Sequence, residues 1–305
     1  MNSYRVLTGP TAAGKTAWLL RRAERVPIHV ISADSRQVYR HMDIGTGKPT
    51  AEELERVPHS GLDLSNPGEA FSAHDFILMA ARAFSEMEDF AGEVWVCGGT
   101  GLYIRTLVES LPLGPPPRPQ LREALAQRIH ERGSAVVASE LALELREVHN
   151  PVRVLRKAEA AASESAEAIY GYAGLDPLLA DLDCLQRSDE YESALSQTRA
   201  WQCEGVYVLD PGADLDKRVA QRVEGMFAGG LVEEVRDLRD RGYGSADVVA
   251  EGIAYKQAGA LLDGAMNRIE ALRHAVIRTR QYAKRQRTYF RGQGWTQPPN
   301  GDLTL

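Results

Sequence analysis

No stretch of this 305-residue sequence approaches the roughly 18 uninterrupted apolar residues that a membrane-crossing helix needs, so a membrane protein is not expected. The N-terminus runs within a few residues into a strand-like segment, which predicts no signal peptide. Cysteine is scarce. Cys97, Cys184 and Cys203 are odd in number, widely spaced and form no C-x-x-C pair. That pattern excludes a disulfide framework and predicts reduced, structural thiols in a cytoplasmic protein. The histidines, His29, His41, His59, His74, His130, His149 and His274, make no spaced ligand cluster, so no zinc site is expected. Acid is missing from two informative places. No Asp or Glu follows the apolar run Val94-Trp95-Val96-Cys97, which continues into Gly98-Gly99-Thr100-Gly101, and none occurs between Arg273 and Arg291.

What is present begins with Gly9-Pro10-Thr11-Ala12-Ala13-Gly14-Lys15-Thr16, a fit to the phosphate-binding loop G-x-x-x-x-G-K-[ST]. It follows the strand-like Tyr4–Thr8 and precedes the helix-forming Ala17–Ala23, the context that motif requires. There, successive backbone N–H groups and the positive end of a new helix converge on an anion. Lys15 adds a point charge, and the Thr16 hydroxyl is the candidate Mg²⁺ ligand. The bland rival is a glycine-rich turn with no ligand. An ordinary phosphate-loop ATPase or kinase would carry a metal-binding Asp at the end of a second strand, and Val94–Cys97 offers none. The one carboxylate at a strand end near the loop is Asp34, after Ile28–Ala33. It leads into Ser35-Arg36-Gln37-Val38-Tyr39, a segment better suited to recognising a substrate than to holding a metal.

The chain alternates strand and helix signals to about residue 110, with strands near 4–8, 28–32 and 94–97 and a helix from about Ala73 to Phe90. Five prolines between Leu111 and Pro119 mark a boundary. Residues 120–200 read as helical and rich in Ala, Glu and Leu. A further strand follows at Val206–Leu209, then helices near 214–241, 254–263 and 266–291. The expected fold is therefore α/β: a phosphate-loop parallel sheet flanked by helices, with a helical insertion. The core would be 1–115 with 201–305, and the insertion 116–200.

The formal charge of −6 hides an asymmetry, because seven Lys or Arg residues fall between Arg273 and Arg291. Arg280, Lys284, Arg287 and Arg291 are spaced to share one helix face, with Tyr282, Tyr289 and Phe290 interleaved. That combination suits RNA, cations gripping phosphates and aromatics packing or stacking on bases; its rival is a solubilising surface. Other segments also keep bland rivals on residue chemistry alone. Asp34-Ser35 could cap a helix, Gly98–Gly101 could be a tight turn, and Arg218 with Arg222 could be a solvated face.

Taken together, several blocks resemble the tRNA dimethylallyltransferase family, also called tRNA isopentenyltransferases. They are Asp34–Tyr39 with Met42–Pro49, Gly98–Tyr103, Met226 with Gly230-Leu231 and Glu234-Val235, Ala254–Gln257, and Thr279–Thr288. The blocks stand in the family's order and cover about 1–115 and 205–292. The resemblance implies transfer of a dimethylallyl group from dimethylallyl diphosphate to N6 of the adenosine just 3′ of the anticodon, with Mg²⁺ as cofactor. It implies diphosphate binding by Gly9–Thr16 and a catalytic set of Asp34, Thr100 and Arg222, with Arg218 the alternative clamp. The implied tRNA contacts are Asp34, Ser35, Arg36, Gln37, Thr100, Arg122, Arg153, Arg156, Lys284, Arg285, Gln286, Arg287 and Arg291. The expected partners are the tRNA anticodon stem-loop and the diphosphate donor, with the enzyme a monomer. Within the insertion the family's H-P-N-D appears as His149-Asn150-Pro151, its later T-G is missing, and 160–200 shows no correspondence. A free-nucleotide isopentenyltransferase or a small-molecule kinase shares the phosphate loop. A non-catalytic RNA-binding protein would leave Lys15, Thr16 and Asp34 without purpose.

Overall fold

The computed structural model describes residues 2–111, 113, 119–143, 148–151, 154–155, 157–159 and 189–295. The expected contacts Arg153 and Arg156 lie outside the described residues. The chain divides into two compact units, Met1–Leu111 with Ala194–Leu305, and Pro112–Ser193.

The first unit is built on five strands: β1 (Ser3–Thr8), β2 (Ile28–Ser32), β3 (His59–Ser60), β4 (Glu93–Gly98) and β5 (Gln202–Val208). They form one parallel sheet in the order β3-β2-β4-β1-β5. The near-continuous apolar runs of β1, β2 and β4 suit strands covered on both faces, which parallel pairing demands. Two differences from the sequence pattern arise here. β5 starts earlier than the aromatic and β-branched stretch suggested, because Gln202 and Cys203 still pair with Ser3 and Tyr4 of β1. β3 is only two residues long, too short for any alternation to show.

Helices α1 (Lys15–Ala23), α2 (Ala51–Arg56), α3 (Ala73–Glu86) and α4 (Gly101–Glu109) alternate with these strands. The second unit contributes α5 (Pro119–Arg132) and α6 (Ser134–Glu140), packed through Leu121, Leu125, Ile129, Val137 and Ala138. After α7 (Asp189–Arg199) and β5 come α8 (Leu215–Ala228), α9 (Leu231–Asp240), α10 (Asp247–Ala250), α11 (Tyr255–Leu262) and α12 (Arg268–Arg291). The single helix expected over 214–241 is thus two. Gly229-Gly230 ends the first and starts the second, with Gly230 at φ 104°, a left-handed conformation that glycine adopts without a Cβ penalty. Asn267 and Glu270 close a capping box that fixes where α12 begins.

Val38, Tyr39 and Met42 pack with α8, α9, α11 and α12 around Val219, Val223, Leu231 and Val235. On the sheet, Trp18 and Trp95 meet edge-on at 4.9 Å between ring centroids, within a second cluster that includes Leu7 and Val30. Among the described residues no helix is long and apolar enough to cross a membrane.

Candidate active site

Parallel topology sets the site. Because β1, β2 and β4 run in one direction and pair in register, Thr8 opposite Gly98 and Ser32 opposite Cys97, the segments after all three emerge together. This is the strand edge at which open α/β sheets bind ligands. The three segments are laced directly: Thr8 Oγ1 donates to Gly98 O (2.9 Å), Ala33 N to Cys97 O (2.8 Å) and Thr100 N to Ala33 O (3.2 Å).

The phosphate loop leaves β1 through Gly9 (φ 145°), Ala12 (φ 62°) and Gly14 (φ 96°). Holding Ala12 left-handed costs about 1–2 kcal/mol, strain of the kind that persists at functional sites. Lys15 Nζ folds back over the loop and donates to Gly9 O (3.0 Å) and Pro10 O (3.1 Å). Burial holds this ammonium below the usual lysine range; Arg222 works in the same direction, and Cys97 and Asp34 oppose. Burial also pushes the Cys97 thiol up to about 11, so at neutral pH it is an unionised wall of the site. Cys97 and Cys203 are both free thiols.

A cavity of about 630 Å³ opens where these segments meet. Its wall includes Thr11–Thr16, Asp34–Gln37, Gly98, Gly99 and Arg222, with Met42, Met226, Val248 and Ile253 supplying apolar surface. Asp34 Oδ1 accepts from Arg36 N (2.9 Å) and Gln37 N (3.4 Å), so the carboxylate shapes its own turn through one oxygen. Thr100 does not line the cavity; its Oγ1 accepts from Ser35 N at 2.9 Å and holds the turn from behind. Gln37 is likewise engaged internally, Nε2 donating to Gly47 O (3.1 Å) and Oε1 accepting from Ser32 Oγ (3.2 Å).

Arg222 projects from α8 into the cavity, and Arg218, one turn earlier, does not line it. Arg222 Nη2 donates to Thr46 O at 3.2 Å, while its Nε is buried with no hydrogen-bond partner among the described residues. Burial lowers its proton affinity and Asp34 raises it. A buried guanidinium with an unmatched N–H is costly unless an anion completes it. Gly47 makes room for it, since a Cβ there would lie 2.0 Å from Nη2.

The basic helix is less open than its spacing suggested. Gln286 is 8% exposed; its Oε1 accepts from Thr11 N (2.8 Å) and its Nε2 donates to Gly99 O (2.9 Å). It braces the phosphate loop against the loop after β4, one bond at each end of its amide, and also lines the cavity. Arg287 donates to Asp210 and Gly212 O, and Arg291 to Asp210, because the chain after β5 brings a carboxylate beneath them. Lys284 and Arg285 are exposed, and the Arg285 guanidinium lies 5.9 Å from the Tyr282 ring centroid. Arg122, in the second unit, pairs with Glu159.

Tyr255 and the Gly45–Gly47 loop, to which the sequence assigned no role, line the cavity, as does Tyr282, expected among the RNA-facing aromatics of the basic helix. Their blocks were visible as motifs, but only the folded chain shows which way they face. The assembled groups can stabilise a departing polyphosphate with N–H dipoles and two cations while a carboxylate faces the same space.

The family model "IPP transferase" matches residues 37–293, and "Isopentenyl transferase" matches residues 2–67. The chain is 38% identical over 288 residues to the tRNA dimethylallyltransferase of Parasynechococcus marenigrum, covering 94% of this chain and 89% of that one. It is also 38% identical over 297 residues to that of Thermus thermophilus, covering 95% and 90%. The crystal structure of the full-length tRNA isopentenylpyrophosphate transferase from Bacillus halodurans superimposes with a TM-score of 0.62 at 29% identity, covering 97% of this chain and 89% of that one. With a phosphate loop, a facing carboxylate and matches over nearly its whole length, the chain belongs to the tRNA dimethylallyltransferase family.

Proposed function

We propose that this chain transfers a dimethylallyl group from dimethylallyl diphosphate to N6 of the adenosine 3′-adjacent to the anticodon in tRNA. The observation that carries this reading is the single cavity walled jointly by the phosphate loop, Arg222 and Asp34–Gln37. In the reaction the allylic C1–O bond breaks and its electron pair leaves with the diphosphate. The N6–C1 bond forms, and the N6 proton passes to the Asp34 carboxylate. Loop amides, Lys15 and Arg222 meet the charge that develops on the leaving group. Asp34 orients the amine and accepts its proton, with Thr100 acting through the Ser35 amide it holds.

Among the described residues no three His, Cys, Asp or Glu side chains converge as a metal cage. Mg²⁺ would instead be held by the Thr16 hydroxyl, which lines the cavity beside the phosphate loop, with its remaining positions left to substrate oxygens and water. When bound, it would supply further charge neutralisation at the diphosphate. A base that must leave its stack would enter past Ser35 and Arg36, and Lys284 and Arg285 would grip the tRNA backbone. We propose that the chain acts as a monomer. We place the reaction in the cytoplasm with its tRNA.

Two anticodon stem-loop transcripts test the acceptor, one with adenosine and one with guanosine 3′ of the anticodon. Label from dimethylallyl diphosphate is expected in the first alone; equal labelling of both would refute N6 as the target.

The lowered proton affinity of Lys15 gives a second prediction. A bound diphosphate supplies the missing counter-charge and raises the lysine toward its usual range. Binding therefore takes up protons in the window between the lowered value and the ordinary lysine value; uptake grows as pH rises past the first and falls away as it passes the second. Calorimetry of inorganic diphosphate binding in buffers of different ionisation enthalpy should detect this uptake in the wild type. It should be absent in Lys15→Met, and uptake unchanged by that substitution would assign the proton elsewhere.

A further inference from the structure

The loop from Asp43 to Lys48 carries the carbonyl that Arg222 touches, and its own support comes from outside the cavity chemistry. Three successive amides, Asp43 N, Ile44 N and Gly45 N, all donate to the carboxylate of Glu234, at 3.0, 2.7 and 3.1 Å. Consecutive N–H groups of this kind form a concavity that binds anions, and here a side chain from the first turn of α9 fills it. Tyr255, at the start of α11, donates its hydroxyl to the same carboxylate at 2.7 Å. Burial, and then the Glu234 charge, hold that phenol above the usual tyrosine range, so it remains a donor at any working pH. Lys48 closes the loop's other end, donating to Tyr39 O, Asp43 and Asp63 with only 4% of its side chain exposed.

The opposite side of this pinned loop faces the site. Thr46 O receives Arg222, and Gly47 O receives Gln37 from the segment that follows Asp34. One short piece of backbone thus touches both the guanidinium and the turn beside the carboxylate. We infer that Glu234 is a positioning residue that aims Arg222 by fixing the Asp43–Gly47 loop from behind, with Tyr255 as its helper. This rests on the reading of Arg222 as the diphosphate clamp.

A double-mutant cycle separates aiming from mere support of the fold. Glu234→Gln keeps the shape but removes the charge and turns an amide donor toward backbone donors. It is expected to lower kcat by about 10–100-fold, the scale of small misplacements at a reacting centre. In an Arg222→Ala background there is nothing left to aim, so the same change should cost less than about threefold, the signature of coupled residues. Tyr255→Phe, which keeps the three amide bonds, should show the same pattern with a smaller loss and gives the test if the glutamine variant does not fold. Equal fold-losses in both backgrounds would overturn the proposal and leave Glu234 a structural strut. If Arg222→Ala alone turns over like wild type, the clamp reading fails first, a result distinct from additivity.

Discussion

Asp34→Ala is expected to cut turnover by roughly 10²–10⁴-fold, the usual range for removing a positioned general base, while tRNA affinity stays nearly intact. The adenine amino group is a poor nucleophile, because its lone pair is shared with the ring and it must lose a proton as the new bond forms. On the proposed mechanism the Asp34 carboxylate, which shares a cavity with the phosphate loop, takes it. Asp34 also holds its turn through bonds from Arg36 N and Gln37 N to Oδ1, so an alanine loses structure as well as basicity. Asp34→Asn separates the two effects. Its amide oxygen can still accept those bonds, but it cannot take a proton. Single-turnover rates for Asn close to those of Ala would assign the loss to proton transfer; a near-normal rate for Asn would reduce Asp34 to a turn-former. A matching loss of tRNA binding in either variant would make it a recognition residue.

Arg222→Ala should lower kcat by about 10²–10³-fold, the effect of deleting one donor aimed at developing charge. The guanidinium is buried with its Nε unmatched, held by Thr46 O on one side and given room by Gly47. Such a group gains most when an anion meets it. Lysine should rescue little, because its ammonium cannot reach Thr46 and a phosphate oxygen with a planar fork. Arg218→Ala, on the same helix but off the cavity wall, should turn over within about twofold of wild type, as surface changes away from special features usually do. Steady-state kinetics of the three variants decide the matter. A larger loss for Arg218 than for Arg222 would reverse the assignment.

The phosphate loop was legible because its chemistry is local: glycines, lysine and hydroxyl lie within eight residues between a strand and a helix. The parallel sheet was legible from apolar runs separated by helical segments. Long-range partners were not. Nothing in the spacing of Gln286 shows that Thr11 N and Gly99 O meet it, or that Asp210 lies beneath Arg287 and Arg291. Periodicity identifies a shared helix face, but it does not reveal what that face meets. Glu234 and Tyr255 belonged to recognisable blocks, yet their joint grip on the Asp43–Gly45 amides exists only once α9 and α11 pack beside the loop. The break at Gly229-Gly230 lies inside a pattern that is helical on both sides, so its apolar spacing runs on where the chain turns.

On the proposed mechanism the phosphate loop holds the leaving group of an allylic donor while the neighbouring carboxylate serves a tRNA base. The most direct test is transfer from labelled dimethylallyl diphosphate in Mg²⁺, with bulk tRNA and free AMP as parallel acceptors and ATP as competitor. Label is expected in tRNA alone, little disturbed by modest ATP. Label in AMP, or no transfer accompanied by ATP turnover, would contradict this mechanism.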